Sequence, residues 1–513
     1  MALLRFAATV GLFTMGSRVL GFLRDILIAR YLGASSAGDA FFVAFKLPNL
    51  FRRLFAEGAF NLAFVPLFSG ILKGEGRDAA KAFAADALAV LMVLLLLMVV
   101  AAQVFMPWLM YAIAPGFADD PDKFDLTVHL TRLTFPYLLF ISLVSLMGGL
   151  LNSLDRFAAA AATPILLNIC LIAAMLGFAH VMATPAHALA WGVAVAGVIQ
   201  FVWLAWNCHR AGILPGLPRP RLTPGVRRLL VLILPAALGA GVAQINLVVD
   251  MIIASLLPSG SVSYLYYADR VVQLPLGVIG VAVGTALLPT LSRQVRDGDG
   301  GQARDSQNRA LEYALLLTVP AAAALIVVAA PIITVLFERG AFDAADSAAT
   351  AAALGAYAVG LPAFVLIKVL APGYFARQDT RTPLKIAVVC LITNVVLNLI
   401  LMGPLLHVGI ALASSLSSWL NAGLLAAGLY RRGHLAPDRR LRRRVPRMVL
   451  AAAAMALALW GAATLLAPWL AGGLALKIVA LLALVALGLC VFALAAQLTG
   501  AARLGEMARM MRR

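Results

Sequence analysis

The sequence predicts an all-α polytopic membrane protein with fourteen transmembrane helices, arranged as two six-helix lobes followed by two C-terminal helices. Hydrophobic residues make up 63% of the 513-residue chain and charged residues only 12%. Soluble domains are about 45–50% apolar and about 25% charged. Apolar stretches of about 20 residues or more recur along the whole chain. The chain also repeats itself with a period of about 225 residues.

The predicted spans are apolar stretches separated by short polar or basic loops. Those of the first lobe cover 5–32, 36–70, 79–113, 124–152, 159–182 and 186–210. Those of the second lobe cover 224–256, 262–294, 303–338, 347–377, 381–402 and 406–432, and the last two cover 446–468 and 473–500. We therefore predict domains at 1–215, 216–435 and 436–513. Charged residues interrupt the first stretch, which favours a retained span over a cleaved signal peptide.

The internal repeat is visible as an ordered series of short matches with a nearly constant offset. Matching positions include Asp25 and Asp250, Leu47-Pro48 and Leu274-Pro275, Phe117 and Phe342, Asp155 and Asp379, and Asn168 and Asn394. Because each copy has an even number of spans, both insert with the same topology, as in transporters built from parallel repeats. Two such lobes beside a central cavity are typical of alternating access. A structural scaffold is the alternative, but a scaffold has no need of buried charges.

Basic residues are concentrated in one alternate set of loops. Roughly 29 of the 41 lysines and arginines lie on that side when both termini are counted with it. The positive-inside rule places this side, and so both termini, in the cytoplasm. The net charge of +18 thus reflects topology rather than nucleic-acid binding. The polybasic run 439–444 is predicted to set topology and to contact anionic headgroups, with a partner-protein site as the alternative.

The sequence contains no phosphate loop, no zincin motif and no nucleophile elbow. ATP-driven transport by this chain alone and enzymatic catalysis are therefore not predicted. Its four cysteines stand singly in or beside apolar stretches, which is typical of buried small side chains rather than of a disulfide framework or metal site.

The first two spans carry an unusual set of charges within the first 57 residues. They are Arg18, Arg24, Asp25, Asp39, Lys46, Arg52, Arg53 and Glu57. A charge facing the bilayer core costs at least about 2.5–3.5 kcal/mol, so these side chains must face water or one another. Asp39, Lys46 and Arg53 are seven residues apart and Glu57 follows four later, which places all four on one helical face. Arg53 and Glu57 are spaced to form an ion pair.

Positive charge predominates in the predicted cavity. Arg18 and Arg24 of the first span and Arg270 of the eighth are accompanied by Asp25 and Asp269. Arginine is always charged and its fork suits bidentate contact with phosphate, so an anionic cargo such as a phosphate or diphosphate is predicted. The alternative is that the charged pairs only neutralise each other and hold helices together.

A second set of polar residues lies in the later spans. Asp250 is in the seventh span, Asn394 and Asn398 share a face of the eleventh, and Ser414 and Ser415 open the twelfth. Oxygen ligands of this kind suit a hard monovalent cation such as sodium. Hydrogen bonds that join helices are the alternative role for the asparagines.

The chain closely resembles the MurJ (MviN) family of bacterial lipid II flippases. The matching segments are Ser17 to Phe22, Arg24-Asp25, Asp39 to Leu50, Arg52 to Phe60, Ala114 to Phe117, Tyr266 to Arg270, Val369 to Tyr374 and Arg377 to Asp379. The resemblance runs from residue 1 through the twelfth span, about 430 residues. It implies the multidrug/oligosaccharidyl-lipid/polysaccharide exporter fold, with two lobes in a V.

The resemblance also implies a function in peptidoglycan and cell-wall biogenesis and in cell shape. The cargo would be an undecaprenyl-diphosphate-linked muropeptide, moved across the bacterial inner membrane to the periplasmic leaflet, with peptidoglycan synthesis or division proteins as partners. Arg18, Arg24 and Arg270 match the family's diphosphate ligands. The family also regards as functional the positions matching Asp39, Lys46, Arg52, Arg53 and Glu57. The last two helices would form a groove for the lipid tail, and Lys477 is a charge within them.

Some members of the family bind sodium in the second lobe. Asp250, Asn394, Asn398 and Ser414 match that neighbourhood, although position 398 carries asparagine rather than the aspartate expected of a sodium-binding member. Two other functions fit the same fold: a flippase for another undecaprenyl-linked saccharide, and a drug/cation antiporter. Antiporters of this fold favour acidic cavities, and the arginines here count against that function.

Overall fold

The computed structural model describes residues 2–52 and 60–502 and, within them, the side chains of all but 2–9, 61–62, 234–243 and 278–286. The described residues form helices throughout, and their single β-bridge joins Arg339 to Phe342. This confirms the predicted all-α class. Long apolar stretches without water to satisfy the backbone must form helices, because a helix pairs its own amides and carbonyls.

The helices follow the chain in this order: α1 (Ala2–Leu32), α2 (Ser36–Phe51), α3 (Asn61–Gly74), α4 (Arg77–Ile113), α5 (Pro121–Thr134), α6 (Tyr137–Asn152), α7 (Phe157–Phe178), α8 (Pro185–Arg210), α9 (Pro224–Ser255), α10 (Ser261–Arg296), α11 (Gly300–Val327), α12 (Ala329–Phe337), α13 (Ala344–Phe375), α14 (Arg381–Arg431), α15 (Arg439–Leu465), α16 (Ala467–Leu470) and α17 (Leu474–Thr499). A short 3-10 turn at Pro115–Asp119 precedes α5.

Nine helices within the described part of the chain are long and apolar enough to cross a membrane, counting α5 and α6 as one. The chain is therefore a multi-pass membrane protein, and the total of fourteen spans stays a prediction. The predicted spans 381–402 and 406–432 together form α14, which is broken at Leu406, where φ is 50° and ψ −132°. A leucine in this region of backbone space is strained, and it marks the turn between the two arms of α14.

Two predicted spans are interrupted where proline disturbs the helix. The span 124–152 divides into α5 and α6 at Phe135 and Pro136. The span 303–338 divides into α11 and α12 at Val328, three residues before Pro331. A proline ring clashes with the carbonyl four residues earlier and cannot donate a backbone hydrogen bond. Val328 leaves helical geometry, with a φ of −107° and a ψ of 24°, whereas Phe135 and Pro136 keep right-handed helical angles.

The chain divides into two compact units. The first unit comprises Met1–Ser263 and Arg339–Phe342, and the second comprises Tyr264–Glu338 and Asp343–Arg513. In the first unit α1 packs on α7, α7 on α8, α2 on α5, and α9 on α3 and α4. In the second unit α13 packs on α14 and α11, and α15 packs on α11 and α17. These units reflect packing, whereas the predicted boundary at 215–216 concerns the sequence repeat and stays a prediction.

The backbone supports the internal repeat. After α6, Asp155 has a φ of 58° and the amide of Arg156 donates to the carbonyl of Leu151. After α13, Gln378 has a φ of 59° and the amide of Asp379 donates to the carbonyl of Tyr374. Both are the same six-residue helix ending, with a non-glycine residue in the left-handed region. This backbone equivalence pairs Asp155 with Gln378, one position away from the sequence match of Asp155 with Asp379.

Candidate functional site

Arg24, Asp25 and Asn168 form a buried polar cluster between α1 and α7. Arg24 donates from Nε and Nη2 to Oδ1 of Asp25, at 3.0 and 2.7 Å, and from Nη1 to Oδ1 of Asn168, at 2.9 Å. The side-chain amide of Asn168 also donates to the carbonyl of Ser17, at 3.0 Å. Arg24 and Asp25 are 5% and 2% exposed, so the pair lies inside the protein, as its position in an apolar span requires.

α7 lies close to α1 at Gly21, one turn before Arg24. A Cβ atom at Gly21 would lie 3.5 Å from Nδ2 of Asn168, which is an ordinary van der Waals contact. Sequence reasoning singled out Asn168 only as a marker of the repeat and missed it as a partner of Arg24. The sequence feature that could have identified Asn168 is its amide side chain within an apolar span. Such side chains are found where they can form a hydrogen bond with another helix.

Asp39 caps the amino end of a helix that lies far from it in sequence. Its carboxylate accepts hydrogen bonds from the backbone amides of Gly260 and Ser263, at 2.8 and 2.9 Å, and from Oγ of Ser263, at 2.7 Å. These are the donors that the first turn of α10 leaves without intrahelical partners. The negative charge also lies at the positive end of the helix dipole, which stabilises it further.

Lys123 completes the Asp39 cluster. Its Nζ lies 2.9 Å from Oδ2 of Asp39 and 3.0 Å from Oγ of Ser259, and 4.0 Å from the centre of the Phe117 ring. Lys123 and Asp39 are 5% and 1% exposed. The sequence predicted Asp39 as part of a charged stripe on its own helix and began the fourth span at residue 124, which leaves Lys123 in the preceding loop, so this ion pair was missed.

The second unit contains a counterpart of this contact. The hydroxyl of Tyr264 donates to Oδ1 of Asp346 at 3.1 Å. Tyr264 follows Asp39 by 225 residues and Asp346 follows Lys123 by 223, which is the period of the repeat. Asp120 accepts a hydrogen bond from the backbone amide of Lys123 at 3.2 Å. Asp343, at the equivalent helix start, accepts one from the backbone amide of Asp346 at 2.8 Å. The duplicated sequences thus keep one polar contact while changing its chemistry.

The other predicted side chains of the first two spans lie nearer the surface. Arg18, Lys46 and Arg52 are half-buried, and Nε of Arg52 donates to Oδ1 of Asn49 at 3.2 Å. Arg53 and Glu57 lie outside the described residues, so their predicted ion pair and their place in the stripe stay predictions.

Arg270 and Asp269 are half-buried on α10 within the second unit. Nη2 of Arg270 donates to the hydroxyl of Tyr266 at 2.9 Å, and its guanidinium carbon lies 4.9 Å from the centre of that ring. Oδ2 of Asp269 accepts from Gln273 at 2.6 Å. Stacking on the tyrosine ring orients the guanidinium.

The candidate sodium ligands are divided between the two units. Asp250, in the first, is half-buried and accepts a hydrogen bond from Asn246 at 3.4 Å. In the second, Asn394 and Asn398 are buried on the same face of α14, as their spacing predicted. Oγ of Ser417 donates to Oδ1 of Asn394 at 3.3 Å and to the carbonyl of half-buried Ser414 at 3.1 Å. The contact of Ser417 with Asn394 joins the two arms of α14.

Glu312 is the centre of a charged cluster that sequence reasoning did not identify. It lies on α11, its side chain is 1% exposed, and it pairs with Arg309, Arg440 and Arg444. Arg309 also pairs with Asp438, which caps α15. The cluster joins α11 to the start of α15 and so ties the polybasic run to the second unit.

Lys477 of α17 is paired as well. Its Nζ lies 3.0 Å from Oε1 of Glu338, at the end of α12. Burial raises the pKa of Glu338, but hydrogen bonds led by that from Lys477 outweigh it and hold this pKa below its ordinary value. Within the described part of the chain, no three histidine, cysteine or acidic side chains are grouped to hold a metal ion.

Comparison with known proteins identifies a family with the same sequence features. The sequence model of the family described as "Lipid II flippase MurJ" matches residues 28–480. The chain is 50% identical over 474 residues to the "Probable lipid II flippase MurJ" of Rhizobium meliloti (strain 1021), covering 91% of this chain and 88% of that protein. It is 41% identical over 442 residues to the "Lipid II flippase MurJ" of Burkholderia cenocepacia, covering 85% and 86%.

Solved structures give the same result. The structure described as "Lipid II flippase MurJ, inward closed conformation" matches with a TM-score of 0.80 and 25% identity, covering 98% of this chain and 99% of that one. An inward-facing multidrug resistance MATE family transporter of the MOP superfamily matches with a TM-score of 0.68 and 13% identity, covering 81% and 94%. The second likeness is one of fold alone.

Proposed function

We propose a transport cycle from one premise: the chain belongs to the MurJ family of lipid II flippases. It is a transporter rather than an enzyme, and its substrate is lipid II, the undecaprenyl-diphosphate-linked precursor of peptidoglycan. Lipid II moves from the cytoplasmic to the periplasmic leaflet of the inner membrane, and both termini of the chain are cytoplasmic. The excess of basic residues in alternate loops supports this orientation.

Arg24 is the best-supported ligand for the diphosphate, and its burial against Asp25 and Asn168 is the observation that carries the proposal. At rest, Oδ1 of Asp25 accepts two hydrogen bonds from the guanidinium and neutralises it. A diphosphate offers several anionic oxygens to the same fork and can replace Asp25 as its partner. Asn168 holds the guanidinium in position through Nη1 during this exchange.

The remaining predicted residues are further candidate contacts for lipid II. Arg18 and Arg270 supply further positive charge, and the ring of Tyr266 orients Arg270. Lys46, Arg52, Arg53, Glu57 and Asp269 belong to the same proposed polar path, in which the acidic groups limit the net positive charge. A cavity with excess cationic charge draws the headgroup from the cytoplasmic leaflet, while the undecaprenyl tail stays in lipid beside α15 and α17.

In the proposed cycle, the Asp39 cluster acts at the periplasmic end of the protein, opposite the cytoplasmic leaflet from which lipid II enters. Asp39 and Lys123 hold the amino end of α10, and the rest of α10 belongs to the second unit. Separation of this cap releases α10 at the periplasmic end and opens the exit path. Because Asp39 and Lys123 are both buried, they must either remain paired or be hydrated on opening.

Sodium is a second proposed ligand. Asn394, Asn398 and Ser414 offer oxygen atoms of the kind that hard cations bind, and the buried asparagines fit this role. The hydrogen bond from Ser417 to Asn394 supports the structural role equally well. Asn394→Ala and Asp250→Ala should both remove any sodium-dependent rise in melting temperature. Identical melting with sodium and with potassium in the unaltered protein would remove sodium from the cycle.

The flippase function is tested in cells depleted of their own flippase. Arg24→Ala, Arg18→Ala and Arg270→Ala should each insert normally but fail to restore growth or the exposure of lipid II on the outer leaflet. Arg219→Ala is the matched control, because Arg219 is an exposed arginine in a loop of the first unit. Normal lipid II exposure with all three variants would refute the diphosphate site.

A further inference from the structure

The second unit has a cationic cavity apart from the proposed diphosphate site. Its volume is about 240 Å³, and it is lined by Arg440, Arg443, Arg444, Arg447 and Gly500. Arg440, Arg443 and Arg447 are exposed, so the cavity is reached from the surface. Among the described residues, its lining contains four arginines and no acidic side chain.

The ion pairs that the structure describes nearby do not include every arginine of the cavity. Glu312 pairs with Arg440 and Arg444, and also with Arg309, which in turn pairs with Asp438. Within the described residues, neither of these two carboxylates pairs with Arg443 or Arg447. Arg440 also lies in the first turn of α15, where the helix dipole is positive. An anion in the cavity would relieve both sources of repulsion.

The position of the cavity indicates which kind of anion it binds. Arg443, Arg447, Leu450 and Leu457 lie at spacings of four, three and seven, and therefore on one face of α15. Leu450 and Leu457 are 64% and 71% exposed, as expected of side chains that face lipid tails. On this face of α15 the lipid-facing leucines are followed by the two arginines. The arginines therefore lie at the level of the lipid headgroups.

Helix α17 supplies the other side of the cavity. Gly500 ends α17 in the left-handed conformation, and its carbonyl accepts a hydrogen bond from Nη1 of Arg447 at 3.5 Å. Leu498, two residues earlier, is 78% exposed. Arginines therefore line the cavity and exposed leucines lie on both of its helices, an arrangement that suits a phosphate joined to acyl chains.

We propose that this cavity binds the phosphate of an anionic glycerophospholipid from the cytoplasmic leaflet, with its acyl chains along the exposed leucines of α15 and α17. Arg443 and Arg447 contact the phosphate, while Arg440 and Arg444, held by Glu312, supply the surrounding field. The site is separate from the diphosphate site proposed at Arg24. It holds a membrane lipid rather than the transported cargo.

Titration of the full-length protein in detergent with phosphatidylglycerol or phosphatidylcholine, followed by native mass spectrometry, tests the proposal. The unaltered protein should retain phosphatidylglycerol in preference to phosphatidylcholine. Arg443→Gln with Arg447→Gln should weaken phosphatidylglycerol binding roughly thirtyfold and leave phosphatidylcholine unchanged. Arg219→Gln with Arg221→Gln removes the same charge from an exposed loop of the first unit and should change neither.

Three outcomes would overturn the proposal. One is equal phosphatidylglycerol binding by the unaltered protein and the 443/447 variant at equal melting temperature. Another is an equal loss in the 219/221 control, which would indicate a general effect of charge. The third is displacement of the lipid by inorganic phosphate at matching concentration, which would identify a soluble phosphate as the ligand. Arg443→Lys with Arg447→Lys checks folding and should keep part of the affinity, because the charge remains without the guanidinium fork.

Discussion

Asp39 and Ser263 are joined by two hydrogen bonds, from the amide of Ser263 at 2.9 Å and from its hydroxyl at 2.7 Å, although they lie 224 residues apart in sequence. A side chain of α2 thereby caps the amino end of α10. The same carboxylate pairs with Lys123, so a single buried group holds three segments of the first unit. Loss of that charge should affect both stability and transport.

Asp39→Asn should lower the stability of the protein by about 3–5 kcal/mol, because it leaves the buried ammonium of Lys123 without a counter-charge. The measurement is the melting temperature of the purified protein in detergent. Asp122→Asn changes an exposed aspartate near the start of α5 and should have little effect. Asp39→Asn with Lys123→Met should recover part of the loss, and a double variant no better than the single would argue against the pair.

Asn168→Ala should reduce lipid II transport while Asp25 still neutralises Arg24. The substitution removes the acceptor of Nη1 of Arg24 and should cost about 1–3 kcal/mol of stability as well. Asn207→Ala is a suitable control, since the side chain of Asn207 donates to the carbonyl of Trp203 on its own helix. Transport is measured as exposure of lipid II on the outer leaflet, and normal exposure would show that Asn168 does not position Arg24.

Glu312→Gln should be among the most destabilising single changes in the second unit. It removes the one carboxylate that Arg309, Arg440 and Arg444 share, so about 3–5 kcal/mol is expected. Asp305→Asn, on the same helix but exposed, should change the melting temperature by little. Equal melting of the two variants would mean that solvent already screens the cluster.

Gly360→Ala should loosen the packing of α13 on α14. A Cβ atom at Gly360 would lie 2.5 Å from Oγ and 2.8 Å from Cα of Ser415, so a loss of about 1–3 kcal/mol is expected. Gly355 lies on α13 as well, and a Cβ atom there would meet no neighbouring atom within 4 Å. Gly355→Ala should therefore leave stability unchanged or raise it by up to about 1 kcal/mol, because alanine favours the helix. Thermal melting of the two variants compares them directly.

The ion pair of Glu338 with Lys477 should make stability depend on pH in a predictable direction. The pKa of Glu338 is lower in the folded protein than its ordinary value of 4.5, so the contribution is complete above that value. It disappears as the pH falls through the lower, folded-state pKa. Glu338→Gln should thus melt earlier than the unaltered protein at pH 7, and the two should converge as the pH falls below 4.5 and through the lower, folded-state pKa. A constant difference across this range would exclude the charge as the cause.

Much of the architecture follows from the sequence alone. A helix must present about 20 apolar residues to cross a bilayer, so composition and length fix the membrane class and most spans. The burial of Arg24 and Asp25 follows from the same cost, because a charge in an apolar span cannot face lipid. The repeat and the motifs of the first two spans indicated the family before any contact was known.

The partners of those charges were decided by the tertiary structure. Helical periodicity places Asp39 on a face, but it does not specify which helix packs there, and the predicted stripe did not include Lys123, 84 residues away. Asn168 lies 144 residues from Arg24, and Glu312 lies 128 from Arg440, so no local pattern connects them. Side-chain chemistry and the bilayer determine that such charges must be satisfied. Which groups satisfy them depends on helix packing, because the contacts join residues brought together only when the whole chain has folded.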